Sequence, residues 1–466
     1  MSGDQAAFLS AAELGRRLAA RELSPVEVVQ ELLGRIERLD PGLNSFITVT
    51  AERALADARA AEAEIAAGAR RGPLHGVPIA LKDIFDTAGV RTTCGSQILA
   101  THVPGVDAAV VQRLRAAGTV LLGKLNLHEF AYGTTTTNPH YGACRNPWNR
   151  DRIPGGSSGG SGAALAAGLC PLSLGTDTGG SIRIPASVCG VVGLKPTFGR
   201  VTRRGVWPLA WTLDHVGPMA RTVEDAALLL DAVAGHNPED PWSSRAPAPG
   251  FARDLERGVD GLRVGIPRRV FFEHLEPDVG GAVDEVIACL ERIGARTREV
   301  DWPYVEHAYT AFHGLLASEA SAFHGAWLRD RPHDYGEPVR QALELGSFVP
   351  AVDYVNARRM QWLLRDGLSA AFREVDVIVT PSLPRTAPPI GEPMSREPDR
   401  AWNRFLAPFN LTGSPAISVP CGFDRAGLPI GLQIVGPAFD EARVLRVARA
   451  YERETDWHTR RPPGVS

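Results

Sequence analysis

Two glycine-rich turns carry the residues that could do chemistry in this chain. The first, P-G-G-S-S-G-G-S, spans 154–161, and the second, G-T-D-T-G-G-S, spans 175–181. Five of their hydroxyl groups are candidates for this chemistry: those of Ser157, Ser158, Ser161, Thr178 and Ser181. Glycine lets backbone N–H groups come close to a reacting oxygen. Such turns can expose a serine nucleophile beside the donors that stabilise its oxyanion. The pattern therefore predicts an enzyme.

The second turn is the better candidate for the nucleophile. An apolar strand predicted at 170–174 runs directly into it. Successive N–H groups from Thr178 to Ser181 could form a concavity that binds an anion. A nucleophile at Ser181 would then share its turn with its own oxyanion hole. The ordinary alternative is a tight strand-to-helix turn in which Ser181 caps the helix.

The first turn admits three other interpretations, and its context opposes each. A flexible linker belongs at an exposed boundary, whereas this segment is embedded in apolar sequence. A phosphate-binding loop would continue with Gly-Lys-Ser/Thr, which does not follow these glycines. The pattern G-x-S-x-G at 155–159 matches a nucleophile elbow, but that elbow needs a strand before its serine. Here the preceding N-R-D-R-I-P (149–154) reads as a polar loop.

A serine nucleophile needs a base, and Lys82 is the best candidate. It ends the apolar run V-P-I-A-L-K at 77–82. Burial lowers the pKa of a lysine and makes a neutral amine available. A solvated or paired charge is the commoner state of a lone lysine at a strand end. The nearest histidines, His75, His128 and His215, show no partner pattern and are interpreted as structural or loop residues.

The elements that must position these groups alternate between helix and strand. Ser10, Ser24 and Thr222 are predicted helix N-caps. Strands are predicted near 77–81, 119–122, 170–174, 262–266, 375–380, 416–420 and 432–435. Helices are predicted near 107–117, 161–168, 279–293, 305–330, 352–374 and 440–453. This alternation is typical of an α/β protein with a largely internal sheet.

The late strands return to the sheet, which suggests one domain over 1–466. We predict a core at about 70–235 and 375–466. A proline-rich polar loop at about 236–248 opens the stretch between them. We therefore predict that 238–374 is an inserted or lid-like region that determines substrate specificity.

Composition limits the classes of function. The chain has 466 residues, 44% of them hydrophobic and 22% charged, with a formal net charge of −3. The sequence has no block of basic residues of the kind that would indicate binding to nucleic acid or to a membrane. The six cysteines form no C-x-x-C pair and are expected to be reduced and buried. Without a secretory signal or a membrane-spanning run, we expect a cytoplasmic enzyme with no nucleic-acid or membrane partner.

These segments resemble the amidase signature family. Its hallmark is a Ser–cis-Ser–Lys triad within G-G-S-S-G-G-S and G-T-D-x-G-G-S-I-R-x-P. The matching segments here are 154–161, 175–185, G-L-K-P-T at 193–197, G-V-P-I-A-L-K-D at 76–83, G-K-L-N-L-H-E-F at 123–130, D-H-V-G-P-M-A-R at 214–221 and G-L-P-I-G-L-Q-I-V-G at 427–436. The resemblance covers essentially the whole chain. It implies an α/β fold with a central mixed sheet flanked by helices on both faces.

The resemblance also implies a role for each matching residue. The nucleophile, the bridging serine after a cis peptide bond and the general base would be Ser181, Ser157 and Lys82. The oxyanion hole would be formed by the backbone N–H groups of Thr178, Gly179, Gly180 and Ser181. The scaffold of that turn would be Asp177 and Arg183, and the segment that touches substrate would contain Tyr132, Gly133 and Thr134. No metal or organic cofactor is implied.

Members of this family differ in their substrates. In its tRNA-dependent amidotransferase A subunits, a Tyr, an Arg and an Asp bind the amino-acid part of glutamine. The aligned positions here are Phe312 or His313, Gln341 or Ala342, and Asn403, and all three differ. This difference favours a stand-alone serine amidohydrolase that cleaves a small-molecule carboxamide or anilide, and a homo-oligomer is compatible with it.

Three other functions stay open. One is the A subunit of an amidotransferase, which would be a glutaminase that works in a complex with partner proteins and tRNA. Another is a hydrolase of carbamates or esters on the same fold. The third is a catalytically silent binding protein, and the presence of Lys82, Ser157 and Ser181 together argues against it.

Overall fold

A single mixed sheet runs through the molecule. The computed structural model describes residues 6–392 and 396–465. The strands are β1 (Phe46–Val49), β2 (Pro78–Lys82), β3 (Val120–Leu125), β4 (Thr137–Asn138), β5 (Gly142–Ala143), β6 (Leu172–Asp177), β7 (Val192–Lys195), β8 (His215–Ala220), β9 (Arg263–Ile266), β10 (Arg296–Glu299), β11 (Val377–Pro381), β12 (Ala416–Phe423) and β13 (Pro429–Val435). Among the described residues, eleven strands form the sheet in the order β1-β3-β2-β6-β8-β7-β12-β13-β11-β9-β10, and β4 and β5 form a separate hairpin.

Helices flank this sheet. They are α1 (Ala11–Ala19), α2 (Pro25–Leu39), α3 (Ala51–Ala66), α4 (Ala109–Ala116), α5 (Gly159–Ala166), α6 (Arg183–Cys189), α7 (Val223–Val233), the single turn α8 (Arg268–Phe271), α9 (Pro277–Arg292), α10 (Ala308–Asp330), α11 (Glu337–Gly346), α12 (Ala351–Glu374), α13 (Arg396–Thr412) and α14 (Glu441–Arg453). Helices α5 and α6 contact each other and the sheet, and α7, α9 and α14 form another group on it. The predicted mixed α/β fold is confirmed.

Strand direction explains why the two glycine-rich turns meet Lys82. Strand β2 lies between β3 and β6 and is parallel to both. The carboxyl ends of parallel strands emerge at the same edge of a sheet. Lys82, the last residue of β2, and Asp177, the last residue of β6, therefore lie at one edge. Strand β8 is antiparallel to β6 and pairs His215 with Asp177, so β8 begins at that edge.

Local signals set several helix boundaries as predicted. Ser10 Oγ accepts a hydrogen bond from Glu13 N–H, and Ser24 Oγ accepts one from Val26 N–H. Thr222 caps α7 through the N–H of Asp225. These side chains satisfy N–H groups that have no partner inside the first turn of a helix. All three predicted caps are confirmed.

The sheet extends beyond the predicted core segments. Strand β1 precedes them, and β9 and β10 lie within 238–374. Strand β11 pairs with β9 in parallel, which joins that region to the sheet through main-chain hydrogen bonds. The rest of the region is mainly helical, and α10 packs against α11, α12 and α13. None of the helices in the described part of the chain is long and apolar enough to cross a membrane.

Candidate active site

Lys82 is buried beside two hydroxyl groups at the edge of the sheet. Its Nζ atom lies 2.7 Å from Ser157 Oγ and 2.7 Å from Thr176 Oγ1. Burial lowers the pKa of Lys82 to about 7, and the negative charges of Asp177 and Asp214 act against this lowering. A lysine with this pKa is partly neutral near pH 7. Its amine can then accept a proton from the Ser157 hydroxyl.

Ser157 lies just before α5 in a turn that a neighbouring loop holds. The peptide bond between Gly156 and Ser157 is cis. The hydroxyl of Thr136 donates to the carbonyl oxygen of Gly155 at 2.8 Å. The backbone N–H of His128 donates to the carbonyl oxygen of Ser157 at 3.1 Å. Groups outside the turn therefore fix the main chain on both sides of the cis bond.

The turn that carries Ser181 is built around the buried carboxylate of Asp177. This carboxylate accepts hydrogen bonds from Gly180 N–H at 2.8 Å and from Ile182 N–H at 3.2 Å. The guanidinium of Arg183 donates to both carboxylate oxygens, at 3.0 and 2.9 Å. Burial would raise the pKa of Asp177, but Arg183 outweighs it and holds the pKa well below its usual value. The turn is thus folded around a permanent buried charge pair.

Three of the four predicted oxyanion donors remain available in this structure. The N–H of Gly180 is taken by Asp177. No acceptor in residues 6–392 and 396–465 takes the N–H groups of Thr178, Gly179 and Ser181. Gly180 itself has φ +128°, a conformation that favours glycine. We therefore restrict the predicted oxyanion hole to the three unoccupied N–H groups, because an N–H already bonded to a carboxylate offers little to an oxyanion.

Side chains from other elements hold this turn in position. Asn403 in α13 donates from Nδ2 to the carbonyl oxygen of Gly179 at 2.8 Å. The Thr178 hydroxyl donates to Asp214 Oδ1 at 2.6 Å. Ser158 N–H donates to the carbonyl oxygen of Ser181 at 3.2 Å, which joins the first turn to the second. The two glycine-rich turns therefore form one unit.

The remaining hydroxyl groups of the first turn make structural contacts. Ser158 Oγ lies 3.3 Å from the carbonyl oxygen of Thr176, to which it donates. Ser161 Oγ accepts a hydrogen bond from the hydroxyl of Ser173 at 3.0 Å. Both partners lie in β6, so these serines fix α5 to the sheet.

One cavity of about 520 Å³ opens onto Ser181. The predicted substrate segment Tyr132, Gly133 and Thr134 lies on its wall, together with Thr178 and Gly179. A carboxamide in this cavity could therefore reach the nucleophile and the oxyanion donors at the same time. Phe130 and Ala131, which precede the segment, have φ of 47° and 60°, and Ala131 also lines the cavity.

The positions aligned with the residues that bind the amino-acid part of glutamine in amidotransferase A subunits also lie at this cavity. Phe312, His313, Ala342 and Asn403 line it. Gln341 lies elsewhere, where its Nε2 donates to Glu337 at 2.9 Å one helical turn away. Of the two candidates at that position, residue 342 is therefore the one at the cavity wall.

The three histidines have separate surroundings. His75 Nε2 lies 3.1 Å from a carboxylate oxygen of Glu64, away from the site. His215 Nδ1 lies 2.6 Å from the carbonyl oxygen of Leu213. His128 lines the cavity, which its sequence context did not indicate. The contacts of His75 and His215 give neither of them a place in the proton relay.

For three other residues at the site, the sequence predicted no role. Thr176 contacts the catalytic lysine candidate, Thr136 holds the first turn and Asp214 holds the second. Thr176 could have been found, because it lies in the same G-T-D-T motif and on a strand adjacent to β2. Asp214 begins the matching segment at 214–221, but no role was assigned to it there. Thr136 carries no local signal, because its contact with the first turn depends on a distant part of the chain.

Comparison with known proteins assigns the family. A family model described as amidase matches residues 27–445. The chain belongs to this family. A relative from Geobacter sp. (strain M21), the A subunit of glutamyl-tRNA(Gln) amidotransferase, is 45% identical over 97% of this chain and 98% of its own.

Two solved structures share the fold over nearly the whole chain. One is described as a vestigial protein complex that reveals the evolutionary origins of an s-triazine catabolic enzyme. It is 40% identical over 96% of this chain and 98% of its own, with a TM-score of 0.91. The other is the A subunit of glutamyl-tRNA(Gln) amidotransferase from Thermotoga maritima. It is 35% identical over 97% and 96% of the two chains, with a TM-score of 0.83.

These relatives correct two predictions. The stand-alone hydrolase of a small-molecule carboxamide or anilide is wrong, because relatives at up to 45% identity over nearly the whole chain are amidotransferase A subunits. The expected absence of a nucleic-acid partner is wrong for the same reason, since those relatives are named for glutamyl-tRNA. The stand-alone prediction rested on three aligned positions, and the expected absence of a nucleic-acid partner rested on the lack of a basic block. Such positions affect which acyl group fits, but they do not decide whether other subunits bind the surface.

Proposed function

We propose that this amidase-family chain is the A subunit of a tRNA-dependent amidotransferase, in which it releases ammonia from glutamine. The observation that carries the proposal is similarity to such subunits along almost the whole chain, with 45% identity over 97% of it. The buried contact of Lys82 with Ser157 and the cavity at Ser181 supply the chemistry.

The proposed reaction begins with transfer of two protons. Neutral Lys82 takes a proton from Ser157, and Ser157 takes one from Ser181 as its oxygen attacks the carboxamide carbon. The N–H groups of Thr178, Gly179 and Ser181 stabilise the oxyanion that forms.

Collapse of the tetrahedral intermediate breaks the C–N bond. The relay returns one proton to the nitrogen, which leaves as ammonia, and the acyl group stays on Ser181 as an ester. Water then attacks this ester through the same relay and releases the acid. The balance is one carboxamide and one water consumed, with one carboxylic acid and one ammonia formed. Apart from the substrate and water, each of these steps uses only groups of this chain.

We also propose that 238–374 is the substrate-specificity region of the single domain. Four residues of this region line the same cavity as the residues of the catalytic turns: Phe312, His313, Val339 and Ala342. The side chain of Phe312 packs so closely that a Cβ on Gly179 would lie 2.2 Å from its ring. Changes in this region would therefore alter the space at the nucleophile.

Purification from the source cells tests the proposed function. We expect the tagged chain to copurify with partner proteins, and the complex to release ammonia from glutamine and to convert glutamyl-tRNA to glutaminyl-tRNA. Ser181→Ala should abolish both reactions and leave the complex intact, because the variant removes only the attacking oxygen. Purification of the chain without partners, or full glutamine hydrolysis by Ser181→Ala, would contradict the proposal.

A further inference from the structure

His128 is placed to contact the substrate, although it takes no part in the proton relay. Its side chain lines the same cavity as Ser181 and is half-buried. Its backbone N–H holds the carbonyl oxygen of Ser157, so the residue is fixed relative to the catalytic turns. Its Nδ1 atom lies 3.3 Å from Thr135 Oγ1, whereas its Nε2 atom makes no hydrogen bond within the described part of the chain.

The contacts of Thr135 determine which ring nitrogen carries the proton. Thr135 Oγ1 already accepts two hydrogen bonds, from the N–H of Thr137 at 3.2 Å and from its hydroxyl at 2.6 Å. A hydroxyl oxygen has two lone pairs and one proton. Both lone pairs are in use, so the Thr135 hydroxyl has its proton left to donate. It donates to Nδ1 of His128, which places the ring proton on Nε2.

The ring is neutral and its position is restricted. The pKa of His128 is lowered to about 4, mainly by burial; the charge of Glu129 opposes this lowering and the charge of Lys82 adds to it. Gly133 covers the Nε2 side of the ring so closely that a Cβ there would lie 2.3 Å from Nε2. A side chain at position 133 would therefore displace the imidazole. The cavity thus holds a fixed, uncharged N–H donor.

The carboxylates that line the cavity accept hydrogen bonds from groups other than His128, so its Nε2–H is available to a substrate. Both lining carboxylates have partners: Glu129 accepts from Ser96 at 2.6 Å and from Gly336 N–H at 2.8 Å, and Glu392 accepts from Arg385 at 3.0 Å. In the described part of the lining there is no lysine or arginine. This described part of the wall therefore offers a substrate only neutral hydrogen-bond donors, and His128 Nε2–H is one whose ring position and proton are both fixed.

We propose that His128 is a specificity-determining residue whose Nε2–H donates to an oxygen on the acyl group, remote from the scissile carboxamide. The inference rests on the proposed function only in that the substrate is a carboxamide that loses ammonia. Glutamine has such an oxygen in its α-carboxylate. An aliphatic amide of the same length does not.

Two matched amides test this contact in the purified holoenzyme. Glutaramate, the monoamide of glutaric acid, and pentanamide differ only by a carboxylate in place of a methyl group. We expect His128→Leu to lower kcat/KM for glutaramate by about 10-fold to 100-fold, the usual effect of losing a hydrogen bond to a charged group. Pentanamide hydrolysis should change by less than about 3-fold, because pentanamide offers no acceptor.

Two further variants separate this role from a structural one. His128→Gln places an amide N–H near the position of Nε2 and should retain most of the preference for glutaramate. Thr135→Val removes the hydroxyl that fixes the proton on Nε2, so the preference should fall part of the way toward that of His128→Leu. A merely structural residue would affect both amides equally in every variant.

Several results would overturn the inference. One is an equal loss of kcat/KM for glutaramate and pentanamide in His128→Leu. Another is a His128→Gln enzyme with the same kcat/KM values as His128→Leu. A third is a wild-type enzyme with a higher kcat/KM for pentanamide than for glutaramate. Absence of glutaminyl-tRNA formation would contradict the proposed function alone, because the comparison of glutaramate with pentanamide does not depend on it.

Discussion

At the scale of single residues, the site depends on removing charges from water. Lys82 is buried next to hydroxyl groups, whereas the carboxylates whose charges act on it, Asp177 and Asp214, are each held by other groups. A lysine in direct contact with a carboxylate would keep its proton, because the opposite charge favours the ammonium form. The structure instead gives Lys82 hydroxyl partners and a lowered pKa.

This lowered pKa predicts the pH dependence of the reaction. The neutral amine is the base, so kcat/KM should rise with pH as Lys82 loses its proton and level off above a pKa of about 7. Measurement of kcat/KM for glutamine by ammonia release at constant ionic strength would show this limb. Lys82→Ala should lower the rate by roughly 10²–10⁴-fold and remove the limb. A wild-type profile that is flat from about pH 5.5 to 8.5 would exclude Lys82 as the base.

At the scale of elements, the turn after β6 depends on the pair formed by Asp177 and Arg183. Arg183 also donates to Gln433 in β13 at 2.7 Å and to Asn410 in α13 at 2.6 Å. The pair therefore links the turn to two elements from the end of the chain. Removal of one partner from such a pair leaves an uncompensated buried charge.

Asp177→Asn should accordingly destabilise the protein by about 3–5 kcal/mol. Urea unfolding followed by circular dichroism would measure this change. Glu239→Gln is the matched control, because it breaks the exposed ion pair of Glu239 with Arg204 and should leave the unfolding midpoint unchanged. A midpoint for Asp177→Asn equal to that of the wild type would show that the charge pair does not hold the fold.

The sequence predicted elements well where apolar runs are flanked by clear caps or turns. Strand β6 begins two residues after the predicted start and ends at Asp177, three residues after the predicted end. Strand β8 was missed, because its glycine and proline lower the intrinsic preference for a strand. Strand β10, R-T-R-E, was missed because it is largely exposed at the edge of the sheet and carries charges. Pairing with neighbours that are distant in sequence creates both strands.

The candidate site was predictable to the extent that its motifs are local. The two turns and Lys82 were found from their glycine and apolar context. His128 was not, because its role depends on packing against Gly133 and on the hydroxyl of Thr135. The tRNA-dependent relatives were also not indicated by charge, because a formal net charge of −3 carries no sign of a nucleic-acid partner.

At the scale of the whole molecule, the region 238–374 is joined to the rest by more than its two chain connections. Strand β9 extends the sheet beside β11. An aromatic cluster also crosses the boundary: Phe409 of α13 lies 5.6 Å from Phe271 and 5.4 Å from Trp302, measured between ring centroids. Phe405 and Phe409 are fully buried in this arrangement.

A chain in which 237 is joined directly to 375 should therefore fail to fold. The deletion would remove the neighbours of β11 on one side and expose Phe405 and Phe409 to water, which costs free energy in proportion to the apolar area exposed. The full-length chain should unfold in one cooperative transition in calorimetry, whereas the shortened chain should aggregate or show no transition. A shortened chain that is monomeric and unfolds cooperatively would mean that 238–374 is an independent insertion whose contacts the sheet does not need.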